Sequence, residues 1–79
     1  MWYRNNATIV WAEQWKQGVN DDLIDRVGGL MENGRALIPT PEGDLPALSH
    51  DWIITGVAGE HHLCKPNDFV SSYVPLQEK

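Results

Sequence analysis

The chain has 79 residues, 42% of them hydrophobic, and eleven acidic against six basic side chains give a formal charge of −5. That length fits one domain, residues 1–79, with a thin stability margin, and the single cysteine excludes an internal disulfide. The basic residues Arg4, Lys16, Arg26, Arg35, Lys65 and Lys79 are scattered singly, so nothing tracks a phosphate backbone and direct nucleic-acid binding is not expected.

The opening "MWYRNNATIVWAEQW" lacks the basic and apolar regions of a signal peptide. No apolar run approaches the ~20 residues needed to span a bilayer, so no membrane contact is expected. With one unpaired thiol, a reducing cytoplasm is the expected setting. Residues 7–12 are β-branched and aromatic and predict a strand, with Ile9 and Trp11 on one face and Thr8, Val10 and Ala12 on the other. Both faces are apolar, which predicts a covered strand; if it lies at a sheet edge, it would pair with a second copy over Trp2 to Trp11.

Asn20-Asp21-Asp22 reads as a helix start, with Asn20 as N-cap and the aspartates favoured by the helix dipole. Leu23, Ile24, Val27, Leu30 and Met31 follow helical spacing, and Gly28-Gly29 ends a short helix. Ala36-Leu37-Ile38 then runs to a Pro41-Glu42-Gly43-Asp44 turn and returns through residues 45–48. Pro39, Pro41 and Pro46 cannot donate to a ladder, so this arm reads as an edge or irregular hairpin.

The stretch "DWIITGVAGEHHLCK", residues 51–65, predicts the best hairpin of the chain. Pro66-Asn67-Asp68 opens a helical turn with Phe69 and Tyr73 on one side. Trp52, Ile54, Phe69 and Tyr73 are expected to share one core. The fold class expected is α+β: one short helix on an antiparallel sheet of about four strands, in the order β-α-β-β-β with a C-terminal helical turn.

Candidate chemistry concentrates near His61, His62 and Cys64. On a strand His61 and His62 point apart while His62 and Cys64 share a side, so three metal ligands do not converge. The same spacing is awkward for a cysteine–histidine nucleophile, which needs hydrogen-bond reach and an orienting group. Asp21 and Asp22 are explained by capping, Glu42 and Asp44 flank a turn glycine, and Gly56 and Gly59 precede no phosphate-cradling helix. The residues therefore predict no catalytic or metal site, no cofactor and no enzyme. The candidates for binding are Trp2, Trp11, His61, His62 and Lys65, because exposed aromatics mark contact surfaces.

Several segments also follow the pattern of a known family: Tyr3-Arg4, Ala12-Glu13-Gln14-Trp15 and Thr40-Pro41-Glu42-Gly43. They are followed by Asp51-Trp52-Ile53-Ile54-Thr55-Gly56-Val57-Ala58-Gly59-Glu60, Cys64-Lys65-Pro66, Phe69 and Tyr73. The chain resembles a family of small proteins encoded by bacteriophages and prophages. It departs from that pattern at His50, where a glycine is expected, and at His61-His62-Leu63, where two aromatics and a proline are expected. The resemblance implies an origin and carries no catalytic residue. Histidines standing where aromatics are expected suggest that those positions need a flat ring rather than a proton.

Two functions follow as expectations. One is a phage accessory protein that binds a host or phage protein in the host cell cytoplasm. The other is a nucleotide-binding or sequestering oligomer, with tryptophan or tyrosine rings on the base and Lys65 with an arginine on the phosphate. A homodimer would widen the stability margin of so short a chain.

Overall fold

The computed structural model describes residues 1–76. Two short strands open it, β1 (Trp2–Asn5) and β2 (Thr8–Gln14), joined by a tight turn at Asn6, whose φ of 57° suits asparagine. β1 is a strand that the sequence alone did not indicate, because "WYRN" sets two aromatics before two polar residues, with no alternation and no β-branched residue. Helix α1 (Asp22–Arg26) follows and is short. Leu23 and Ile24 bury, and Gly28, at φ 79°, ends the helix. Asn20 is not its N-cap: Asp21 occupies that position without a side-chain cap bond. The Asn20 side chain instead accepts from the Lys16 N–H and donates to the Gln14 carbonyl.

Leu30 and Met31, expected on the helical stripe, lie in strand β3 (Leu30–Glu32). The reason is Gly29, where an added Cβ would stand 2.5 Å from the Leu37 carbonyl oxygen. Only glycine lets the chain leave the helix this close to the next strand. β3 turns at Asn33-Gly34, both with positive φ, into β4 (Arg35–Thr40), which continues into β5 (Gly43–Ala47). Pro39 sits in the central strand of this meander without harm, because β3 pairs no further along β4 than Leu37. Pro46 lies on β5, an edge.

The predicted 51–65 hairpin forms as β6 (Trp52–Thr55) and β7 (His61–Cys64). Helix α2 (Pro66–Ser72) and β8 (Val74–Pro75) close the described chain. The result is α+β, with two short helices and two antiparallel sheets rather than one of about four strands. The larger sheet has the order β7-β6-β2-β1-β8, and the smaller β3-β4-β5. β2 is therefore interior, flanked by β1 over Thr8–Trp11 and by β6 over Trp11–Gln14, rather than the edge strand considered from the sequence.

Alternation along β6 splits the interior in two. Ile53 faces the small sheet and α1, in a cluster with Trp15, Leu23, Ile24, Ala36, Ile38 and Ala47. Trp52 and Ile54 face α2, packed with Val10, Ala12, Phe69, Tyr3 and Tyr73. The expected grouping of Trp52, Ile54, Phe69 and Tyr73 holds. Phe69 stacks flat on Trp52 at a centroid distance of 3.9 Å and on Tyr73 at 4.8 Å.

Candidate functional site

The strand registers create an arrangement that no single segment contains. Trp2 stands opposite Trp11, Trp11 opposite Thr55, and Thr55 opposite His61. Directly opposed residues share a face, so these four side chains form one row across β1, β2, β6 and β7. Arg4 and Ile9 form the adjoining row, and Val57 follows the end of β6. The small sheet and α1 cover this face only around Trp15, Ile53 and Leu63, leaving the aromatic rows bare. Trp2 is 51% exposed, Ile9 45%, Trp11 37% and Val57 91%. Trp11, whose strand was expected to be covered on both faces, is thus at the surface.

The two indole rings meet edge to face at 5.1 Å, a favoured aromatic geometry. A shallow hollow of about 270 Å³ lies beside them, bounded by Trp2, Ile9, Trp11, Thr55, Gly56 and Val57. His61 Nδ1 and Thr55 Oγ1 are 3.0 Å apart and share a hydrogen bond, which holds the imidazole at the end of the row. Trp11 Nε1 donates to Glu13 Oε1 at 3.0 Å. The same carboxylate accepts from both terminal nitrogens of Arg26, at 3.0 and 3.2 Å. Arg4, in contrast, has no ion-pair partner among the described residues.

The Arg26 hydrogen bonds hold the Glu13 carboxyl below its ordinary value of 4.5, aided by Trp11 and opposed by burial. A carboxyl depressed by folding contributes stability above its unfolded value and loses it as pH falls through the folded one. Glu13→Gln should therefore melt slightly below the parent at pH 7. The gap should close under acid conditions below the ordinary carboxyl value, as paired thermal melts would show; a gap independent of pH would contradict the ion pair.

The other candidates are not part of this row. His62 lies opposite Ile54, on the α2 face, with Nε2 3.6 Å from Glu60 Oε2. Backbone N–H groups of Glu60 itself and Ala58 hold the Glu60 carboxyl below its usual range. Lys65 follows β7 beyond Cys64, opposite Trp52, at the other end of the hairpin from Thr55 and His61. Its ammonium meets the buried carboxylate of Asp51, so Lys65 does not join Trp2 and Trp11. Burial pushes the half-buried Cys64 thiol up, and Asp68 and Asp51 add to it. Among the described residues, no three His, Cys, Asp or Glu side chains gather in a way that could hold a metal ion. No described helix is long and apolar enough to cross a membrane.

Of the five sequence candidates, the fold brings together Trp2, Trp11 and His61. Sequence reasoning missed Arg4, Thr55 and Val57 as their neighbours. The two-residue spacing at Asn6-Ala7, a hairpin-length loop before the predicted strand, was the signal that could have placed β1 beside β2. Comparison of the chain with protein-family models, curated proteins and solved structures finds no match.

Proposed function

We propose that this is a non-catalytic binding protein whose contact surface is the bare aromatic face of the larger sheet. The observation that carries the reading is the contiguous exposure of Trp2, Ile9, Trp11 and Val57. An apolar patch of this kind is uncommon on a free surface and marks interaction sites. Tryptophan is also the residue type most enriched among energetically dominant contacts. The rings are held by their own sheet, so little side-chain freedom is lost on docking. The resemblance to phage-encoded proteins makes a host or phage protein in the infected cell the expected partner, and an accessory role against a host factor or defence system the expected outcome.

A nucleotide reading that stacks a base on Trp2 and Trp11 and uses Lys65 for the phosphate is not favoured, because the strands put those groups at opposite ends. A second copy remains a rival occupant of the face.

The test compares the parent with a Trp2→Ala/Trp11→Ala double variant. Affinity capture from infected-cell lysate should retain a specific protein with the parent. The double variant should lose it, with affinity reduced at least ~100-fold when the recovered partner is titrated. Light scattering at micromolar concentration identifies a self-association that the variant abolishes. A parent and double variant with the same partners and the same mass would defeat the reading.

A further inference from the structure

A second site lies where the two sheets meet, at the opposite end of β6 from the aromatic row. Asp51 precedes β6, and its side chain is 3% exposed. Both of its hydrogen bonds from the described residues go to one oxygen: Leu48 N–H reaches Oδ2 at 3.0 Å and Lys65 Nζ at 3.2 Å. Oδ1 accepts none from them. Yet no sealed side-chain oxygen or nitrogen among the described residues lacks a partner, so Oδ1 is open rather than stranded. Asp51 borders a hollow of about 230 Å³, with Lys65 beside it and walls of Leu45 and Pro46 from β5 and Leu63 and Cys64 from β7.

Lys65 Nζ carries three N–H donors and spends one on Asp51. Its side chain is 59% exposed, so the remaining donors are accessible. The hollow thus presents a buried acceptor beside a free donor, within a pair of zero net charge. A ligand cation would meet Lys65 and a ligand anion would meet Asp51. The complement is a neutral group holding its own donor next to its own acceptor. The walls add apolar surface for a small ring, and the Cys64 side chain packs away with the cluster under α2.

We infer that this hollow binds a small planar ligand carrying an N–H beside a C=O, the lactam edge that oxo-pyrimidines and oxo-purines present. The ligand N–H donates to Asp51 Oδ1 and its carbonyl accepts from Lys65 Nζ, while the ring lies against Leu45, Pro46 and Leu63. No stacking aromatic takes part, and the site is independent of Trp2 and Trp11.

Titrations followed by amide NMR shifts test it, with uracil and 2-piperidone as lactam probes and 1,3-dimethyluracil as the donor-free control. Both lactams should shift Asp51, Leu63, Cys64 and Lys65 saturably, and the control should not. Uridine separates a nucleoside from a free base as the source of the edge; binding of either alongside a silent control supports the assignment. Lys65→Met should weaken uracil about tenfold, the loss of one charge-assisted hydrogen bond. It also leaves the buried Asp51 carboxylate without its cation and should melt below the parent, so its amide spectrum at the titration temperature is the check that it is folded. The Trp2→Ala/Trp11→Ala variant should titrate like the parent, so failure here and failure of the aromatic face are read separately. An absence of saturable shifts with both lactams, equal shifts with the dimethyl control, or unchanged binding by Lys65→Met would overturn the assignment.

Discussion

Trp15→Ala should destabilise the protein by about 3–5 kcal/mol, a large share of the 5–15 kcal/mol typical of a whole domain. Trp15 is 1% exposed and is among the largest fully buried side chains of the cluster between the two sheets. It touches both halves of the molecule. Its indole N–H donates to Asp21 Oδ1 at 2.9 Å, fixing the approach to α1. Its backbone N–H bonds the Asp51 carbonyl at 2.9 Å, tying the end of β2 to the start of β6. Alanine keeps the second contact and loses the first, along with the packing. Urea unfolding should show a lower midpoint, and thermal melting should fall by roughly 12 °C or more. A variant melting within a few degrees of the parent would mean that the small sheet does not depend on this ring.

Phe69→Ala should cost about as much, ~3–5 kcal/mol, through the opposite face. Phe69 is 2% exposed and is the buried residue of α2. Its ring lies flat on Trp52, with an interplanar angle of 4°, and meets Tyr3 edge on at 4.7 Å. Each such pair contributes beyond its buried area, by about 0.5–1.5 kcal/mol. Loss of Phe69 removes the contact that seats α2 and leaves Trp52 facing a void. Denaturant unfolding gives the stability change, and near-ultraviolet circular dichroism should lose signal from the Trp52 stack even where the fold survives. Parental stability with an unchanged spectrum would contradict the placement of α2.

The features that local chemistry controls were legible in the sequence. Residues 51–65 set an aromatic and β-branched run before a glycine-containing turn and a short return, and they form the expected hairpin. Pro66 opens α2, and the spacing of Phe69 and Tyr73 puts both rings in one stack. The division into two sheets was not legible. Leu30 and Met31 continue a helical spacing from Leu23, and only the approach of β3 to the Leu37 carbonyl, at Gly29, shows why the helix stops first. Period-two alternation correctly joined Ile9 with Trp11 on one face. It cannot reveal which strands lie side by side, nor how far a covering layer extends. Trp11 faces Thr55 across forty-four positions of sequence, and that pairing decides that the indole belongs to a surface row. Asp51 escaped notice for a similar reason: its partner Lys65 and the walls from β5 arrive from separate segments.

The route of the chain between Trp15 and Asp51 bears on how the protein folds. These two residues are hydrogen-bonded neighbours, and everything from α1 to β5 leaves and re-enters the larger sheet between them. Closing a flexible loop of that length costs about 3 kcal/mol of chain entropy before any pairing of β2 with β6 repays it. The excursion itself is built from short-range contacts: one helix and two tight hairpins. Formed first, it acts as a stiff bridge that brings the ends of β2 and β6 together at lower entropy, after which the central pairing proceeds. The Asn33-Gly34 turn is therefore expected to form early, which a turn variant that slows refolding would show. The aromatic row, which needs β1, β2, β6 and β7 all in register, is expected among the last parts of the surface to form.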